Sequence, residues 1–343
     1  MTTKSRLITI LVLLPTLALA KITLHGQAQV RPRMDLYTFA DSLREDVTDF
    51  YTQYRLRMDV HADIGDGWFA HSRLGHNGVA YWMKFGEGVA SRDYIVPSTA
   101  RGTMDMLEMY FGYEGELVGG HIGMVPISGV SNPILDLHYY PDRVLDIPFH
   151  RYSQNALPGF HGYAQFGPGR LSLGAFIEDN SGSKIGGEQV GQDAFAILLE
   201  YRLRLLGFEF SPQFLNTSAA DSIAAPMSYG FNLATPRFAG LKPSFNAFWT
   251  SQTVEDTLSG VAAYDGYHFR ARVEGALGPG CLMFWHDWAK VGDQKARYFW
   301  ISYRVRLYRS DEGEVTLAPI YRLQTVDDDF TRAKIELDFS VRF

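Results

Sequence analysis

The chain has very few of the residues that stabilise or functionalise most small exported domains. Among 343 residues there is one cysteine, Cys281, so no disulfide can form within the chain. The ten histidines show no spacing typical of a Cys or His metal site, and no cofactor-binding motif accompanies them. Linkers and low-complexity stretches are also missing. These absences exclude a disulfide scaffold, a zinc module and a chain divided into separate domains.

Long apolar segments are absent after residue 20. A transmembrane helix needs about 20 consecutive apolar residues, and no later segment approaches that length. Acidic residues outnumber basic ones, 38 against 32, which disfavours nucleic acid as a partner. Because lipid cannot hydrogen-bond an open backbone, a membrane protein without such helices must be a closed barrel.

The first twenty residues have the order of features typical of an export signal. Two bases, Lys4 and Arg6, are followed by an apolar run and then by the small-residue cleavage site Ala18-Leu19-Ala20. We expect residues 1–20 to be a signal peptide removed after Sec-type export, which leaves residues 21–343 as the mature chain.

Apolar and polar residues alternate along much of the mature chain, most clearly at its C-terminus. From residue 335 to 343 one face carries Ile, Leu, Phe, Val and Phe, and the other carries Glu, Asp, Ser and Arg. Successive side chains of a strand point to opposite faces, so one face suits lipid and the other suits water. We predict strands near 22–34, 51–63, 67–74, 104–113, 117–125, 160–166, 170–178, 193–204, 207–215, 226–234, 241–250, 266–276, 281–288, 297–308, 314–325 and 332–343.

The gaps between these segments alternate in length. Seven short turns, such as residues 64–66 and 167–169, alternate with eight longer gaps, of which the third, 126–159, is the longest. Outer-membrane barrels have short periplasmic turns and long external loops, whereas a soluble sandwich has no reason to keep its long loops at one end. The pattern predicts an all-β fold, a transmembrane antiparallel up-and-down β-barrel of sixteen strands. Fourteen and eighteen strands stay open, because boundaries predicted from sequence err by about two to four residues.

These features resemble the bacterial outer-membrane porin family of Gram-negative cells. The resemblance is carried by the export signal, by Tyr54-Arg55-Leu56-Arg57 leading to a short turn, by the long third gap, and by the last strand. No subfamily can be matched. The resemblance implies a diffusion channel in the cell outer membrane that passes small hydrophilic solutes or ions.

The resemblance also implies partners and two structural roles. In that family the last strand is the signal read by the barrel-assembly machinery, here Phe339, Val341 and Phe343. The third loop folds into the barrel and narrows it. Outer-membrane lipid surrounds the barrel, and because many members are trimers, a homotrimer is an option for this chain.

Ten arginines fall on the polar, inward face of the predicted strands. Eight form Arg-x-Arg pairs on four strands that descend in the same direction, so the pairs are expected at similar depth. One interpretation is a basic belt that favours anions or orients zwitterionic solutes, and the other is bracing by ion pairs with inward acids. The predicted pore-lining residues are Arg55, Arg57, Arg202, Arg204, Arg270, Arg272, Arg304, Arg306, Arg322 and Arg342.

The long gap 126–159 supplies candidates for a constriction. Folded inward, its acids would face the wall arginines and create a transverse field at the narrowest point. A loop of this length without function is uncommon, although an outward surface loop stays open. The candidates are Asp136, His138, Asp142, Arg143 and Asp146.

Two other classes of function fit the sequence less well. An enzyme built on a barrel needs a Ser, His and acid set within reach, and no convincing set appears on the predicted faces, so we expect no enzyme. A structural or adhesive outer-membrane barrel with a plugged lumen is the alternative. The path of residues 126–159 relative to the barrel axis separates it from a channel.

Overall fold

The computed structural model describes residues 20–41, 43–76, 82–85, 104–126, 133–139, 156–179, 194–219, 226–252, 264–327 and 329–343. Within these ranges seventeen strands form one antiparallel sheet, and sixteen of them close into a barrel. The strands are β1 (Lys21–Phe39), β2 (Val47–Gly65), β3 (Trp68–His76), β4 (Met83–Lys84), β5 (Met104–Glu114), β6 (Val118–Pro126), β7 (Ala156–Phe166), β8 (Gly169–Asp179), β9 (Ala194–Leu205), β10 (Phe208–Ala219), β11 (Pro226–Ala234), β12 (Leu241–Gln252), β13 (Tyr264–Leu277), β14 (Gly280–Val291), β15 (Gln294–Arg309), β16 (Glu314–Val326) and β17 (Phe330–Arg342).

The first and last strands close the barrel. Strand β1 pairs antiparallel with β17, from Gln27 opposite Arg342 to Phe39 opposite Phe330. At the seam the N–H of Gly26 donates to the carbonyl oxygen of Phe343 at 2.6 Å, and the N–H of Phe343 donates back at 3.0 Å. The Phe343 ring packs directly over Gly26, in space that a Cβ at that position would occupy. The prediction of an antiparallel sixteen-stranded barrel is confirmed.

The alternation predicted from the sequence separates an inner from an outer face. On β17 the outer residues Ile335, Leu337, Phe339 and Val341 are all exposed apolar side chains. The polar residues between them are buried toward the barrel interior: Lys334, Glu336, Asp338 and Ser340. This distribution is the reverse of a soluble protein and matches a wall with an apolar exterior and a polar lumen.

Several predicted gaps are shorter in the structure. Strand β1 extends through Pro32 to Phe39, so the first gap covers residues 40–46 rather than 35–50. Residues 31 and 32 have no partners in the pairing with β17, because Pro32 has no N–H to donate. Strands β14 and β15 are joined by a two-residue turn, and only residues 327–329 separate β16 from β17. The prediction of longer gaps at residues 289–296 and 326–331 is therefore wrong.

Strand β4 was not expected from the sequence. Its two residues pair with β2, Met83 opposite Tyr54 and Lys84 opposite Gln53. The N–H of Phe85 also donates to the carbonyl oxygen of Thr52 at 2.9 Å. Two residues are too few to show a period, so alternation could not reveal this strand.

A short helix, α1 (Pro133–Tyr139), lies inside the barrel. Its residues Ile134, Leu135 and Leu137 are buried and belong to one apolar cluster with inward residues of the wall, among them Leu215 and Phe248. The helix contacts β10, β11, β12 and β13. Part of the long third gap thus packs on the inner wall through apolar side chains. In the described ranges no helix is long and apolar enough to cross a membrane.

Candidate pore-lining site

Six of the ten arginines predicted to line the pore have carboxylate partners. The most buried is Arg270, whose Nε and Nη2 each donate to the Asp287 carboxylate at 2.7 Å. His268 lies 3.3 Å from the same carboxylate. The other five pairs are Arg202 with Glu200 at 2.8 Å, Arg204 with Glu209 at 2.8 Å, Arg272 with Glu274, Arg306 with Glu314 at 3.0 Å, and Arg322 with Glu336 at 2.8 Å.

The other four arginines have a different environment. Arg55 donates from Nε to the amide oxygen of Gln29 at 2.8 Å, and Arg57 donates to Gln27. Bonds to neutral amides by themselves cancel no charge. Within the described part of the chain, Arg304 and Arg342 form no ion pair.

A second group of cations lies beside these arginines and was missed by sequence analysis. Arg31, Arg33, Arg332 and Lys334 extend from β1 and β17 into the barrel. The sequence contains a pattern that could have identified two of them, because Arg31 and Arg33 continue the inward alternation that begins at residue 27. Both lie within the first predicted strand, residues 22–34, but the mixed polarity around Pro32 obscured its inward face.

Three acids hold this second group together. The Asp35 carboxylate lies 2.5 Å from both Arg33 and Arg332. Glu336 lies 3.5 Å from Arg33, and Asp338 lies 3.6 Å from Arg31. The seam between β1 and β17 is therefore a dense polar network with more bases than acids.

A cavity of about 330 Å³ lies within the barrel beside this network. Its wall is one continuous arc of the sheet, from β13 through β17 to β1 and β2. Asp338 is the one carboxylate among its lining residues. Six guanidinium groups line it: Arg31, Arg55, Arg57, Arg272, Arg304 and Arg342. Because Arg is charged at every physiological pH, the lining side chains have a formal excess of positive charge.

An indole ring supports two of these guanidinium groups. Trp82 precedes β4 and is 7% exposed. The Cζ of Arg31 lies 3.8 Å from its ring centroid, and the Cζ of Arg55 lies 4.6 Å away. Such cation–π contacts orient a guanidinium through its face, while its N–H edges form hydrogen bonds or ion pairs, here with Gln29 for Arg55 and with Asp338 for Arg31.

A row of rings lies on the wall from β2 to β7. Adjacent ring centroids are 6.3 Å apart for His61 and His71, 4.7 Å for His71 and Tyr110, 4.8 Å for Tyr110 and His121, and 5.3 Å for His121 and His161. Within the described residues no group of three or more side chains has the geometry of a metal site. The row is therefore a polar aromatic lining.

The remaining predicted site residues have mixed outcomes. Asp136 and His138 belong to helix α1, but their side chains lie outside the described part, as do residues Asp142, Arg143 and Asp146 altogether. The constriction therefore stays a prediction. In the last strand, Phe339 and Val341 are exposed on the outer face, and Phe343 packs against Gly26 at the seam.

Comparison with known proteins adds to this geometry. No family model and no curated protein matches the sequence. Among solved structures, an anion-selective porin from Comamonas acidovorans matches with a TM-score of 0.57 and 12% identity, covering 94% of this chain and 100% of that one. The chain has the porin fold.

Other solved porins agree with this result. OmpF of Salmonella typhi, in a complex with daunomycin, matches with a TM-score of 0.55 and 11% identity over 94% of this chain and 98% of that one. A loop-deletion mutant of OmpT, an outer membrane protein of Vibrio cholerae, gives 0.56 and 10% over 94% and 99%. At these identities the shared property is the fold, and no porin subfamily is assigned.

Proposed function

We propose that this protein is an outer-membrane porin through which small hydrophilic solutes diffuse passively, with a preference for anions. The porin fold and the exposed apolar exterior support a location in the outer membrane. A polar lumen of a sixteen-stranded barrel is wide enough for an aqueous path. We propose neither an enzymatic activity nor a cofactor.

The observation that carries the preference for anions is the arginine-lined cavity. Six guanidinium groups and one carboxylate line it, and two of those arginines, Arg55 and Arg57, donate to the neutral amides of Gln29 and Gln27. A narrow lumen with one sign of charge concentrates ions of the opposite sign. The other wall arginines, paired with acids, brace the barrel and add little to the net field.

Reversal potentials in planar bilayers under a KCl gradient test this proposal. We expect the double substitution Arg55→Gln/Arg57→Gln to lower the chloride-to-potassium permeability ratio about threefold, since two charges are lost from the cavity. The matched control is Arg306→Gln/Glu314→Gln, which removes two charged groups without changing the net charge. A ratio unchanged in the first variant would show that these arginines only brace the wall.

The proposal extends to biogenesis. We propose that residues 1–20 are cleaved after Sec-type export, that the strand ending at Phe343 is recognised by the barrel-assembly machinery, and that the barrel forms a homotrimer. N-terminal sequencing of the mature protein should give Lys21 as the first residue. Deletion of Phe343 should lower the folded fraction in the outer membrane, and native electrophoresis reports the oligomer.

A second candidate is a structural or adhesive barrel with a closed lumen. The inward packing of helix α1 and of Trp82 favours it, because both occupy space inside the barrel. Single-channel recording separates the two candidates. Folded protein that inserts into bilayers without conducting would favour the closed barrel.

A further inference from the structure

We infer that the arginine-lined cavity is a saturable binding site for small organic polyanions, molecules with two or more carboxylate or phosphate groups. The inference rests on the proposed function, because a solute reaches the cavity only through an open lumen. It goes further than a preference for anions, since it predicts occupancy of a defined site rather than a general field.

The guanidinium groups line the cavity along one continuous arc of the wall. Arg31 and Arg55 extend from β1 and β2, and Arg272 and Arg304 extend from β13 and β15, with β14, β16 and β17 completing the arc. A molecule with several anionic groups can contact more of these donors than a single anionic group can. The planar fork of arginine matches the geometry of carboxylate and phosphate oxygens, and such charge-assisted bonds are the stronger kind.

The size of the cavity agrees with this class of ligand. A volume of about 330 Å³ lies at the lower end of the range found for small-molecule sites, which is roughly 300 to 1,000 Å³. A single chloride ion would fill a small part of it and balance one of the charges. A compact polyanion fills the space and balances several.

The site is already organised without a ligand. Arg31 and Arg55 are held against Trp82, and Trp82 is held by the pairing of β4 with β2. Gln29 accepts from Arg55 and donates to the Asp338 carboxylate at 3.2 Å. Because ordering the side chains costs free energy on binding, groups that are already ordered bind more tightly. Trp82 is therefore a positioning residue of the site.

Current through single channels in symmetric KCl tests the inference, with citrate, pyrophosphate or acetate added at matched ionic strength. We expect citrate or pyrophosphate to reduce the current with a saturating concentration dependence and acetate to have no such effect. Arg55→Gln/Arg57→Gln should raise the half-blocking concentration about tenfold. Block by citrate alone would identify a polycarboxylate site, and block by pyrophosphate alone a phosphate site.

Substitution of the uncharged residue Trp82 tests the binding site separately from the lumen charge. Trp82→Ala leaves the lumen charge unchanged, yet we expect it to raise the half-blocking concentration about threefold, because Arg31 and Arg55 lose their support. Trp82→Phe keeps a ring and should restore block. The control Arg306→Gln/Glu314→Gln should behave as the parent, and heat-modified migration in gels verifies folding of each variant.

The outcomes separate this inference from the proposed function. An anion preference in KCl without saturable block by either polyanion would overturn the binding site and leave the porin proposal intact. Block of equal strength in the parent and in Arg55→Gln/Arg57→Gln would also overturn it. Absence of conductance or of anion preference in the parent contradicts the proposed function itself.

Discussion

Two regions of the lumen wall both contain Arg-x-Arg pairs, but the side chains that contact these arginines differ between the regions. In the wall formed by β9, β10, β13 and β14, the arginines of the Arg-x-Arg pairs meet acids. Arg270 lies directly opposite Asp287, and Arg204 lies opposite Glu209. In the wall formed by β1 and β2, Arg55 lies opposite Gln29 and Arg57 opposite Gln27.

For these four arginines the difference follows from the neighbour across the ladder. Cross-strand neighbours are about 5 Å apart at Cβ, so an acid at that position is within reach of the guanidinium. Arg202 and Arg272 instead pair with acids of their own strands. A glutamine accepts a hydrogen bond but carries no charge of its own. The first wall therefore contains ion pairs, and in the proposed function the second wall supplies the positive potential.

The largest effect is expected on stability, when an ion pair is broken in the wall formed by β9, β10, β13 and β14. Asp287→Ala leaves Arg270 buried beside His268 without its carboxylate, and we expect a loss of about 3–5 kcal/mol in the free energy of unfolding. Equilibrium unfolding of detergent-folded or vesicle-folded protein in urea measures it. The variant Arg270→Met/Asp287→Leu removes both charges and should recover most of the loss. Equal destabilisation by both variants would contradict a bracing role.

A smaller effect, on ion selectivity, is expected when acids are placed opposite the arginines of the wall formed by β1 and β2. Gln27→Glu/Gln29→Glu places acids opposite Arg57 and Arg55 without touching either arginine. We expect the chloride-to-potassium permeability ratio to fall about threefold, as the new carboxylates cancel the field. Reversal potentials measure this, with Gln27→Asn/Gln29→Asn as the neutral control. An unchanged ratio would mean that the potential arises elsewhere in the lumen.

The smallest effect is expected on the rate of thiol modification at the single cysteine, which reports the local potential. Cys281 is exposed and lies opposite Arg304 in the ladder between β14 and β15. We expect an anionic thiol reagent to modify it about threefold faster than a cationic reagent of similar size, because Arg304 attracts the anion. Arg304→Gln should remove the difference, and Cys281→Ser should abolish labelling. Equal rates in the parent would locate the positive potential away from this end of the cavity.

The strands were predictable because each depends on a local period. Strand β11 has the bounds expected from the sequence, residues 226–234, and β17 differs by two residues at its start and by one at its end. The errors occur where the period fails. Pro32 and the mixed polarity around it hid the extension of β1 to Phe39, and the two residues of β4 show no period at all.

The site was less predictable than the fold. Alternation assigned Arg55 and Arg270 to the same inward face, and nothing within either strand distinguishes their roles. Their partners, Gln29 and Asp287, lie on neighbouring strands. Trp82 was not foreseen as a support for Arg31 and Arg55, because its position depends on a backbone pairing between β4 and β2.

The sequence alone determined which face of each strand each side chain occupies, since that property repeats every two residues and needs no knowledge of neighbours. It also determined the sixteen strands of the barrel. Only the tertiary structure decided which charges cancel. The register between strands, including the closure of β1 on β17 about 300 residues away, places Arg270 beside an acid and Arg55 beside an amide.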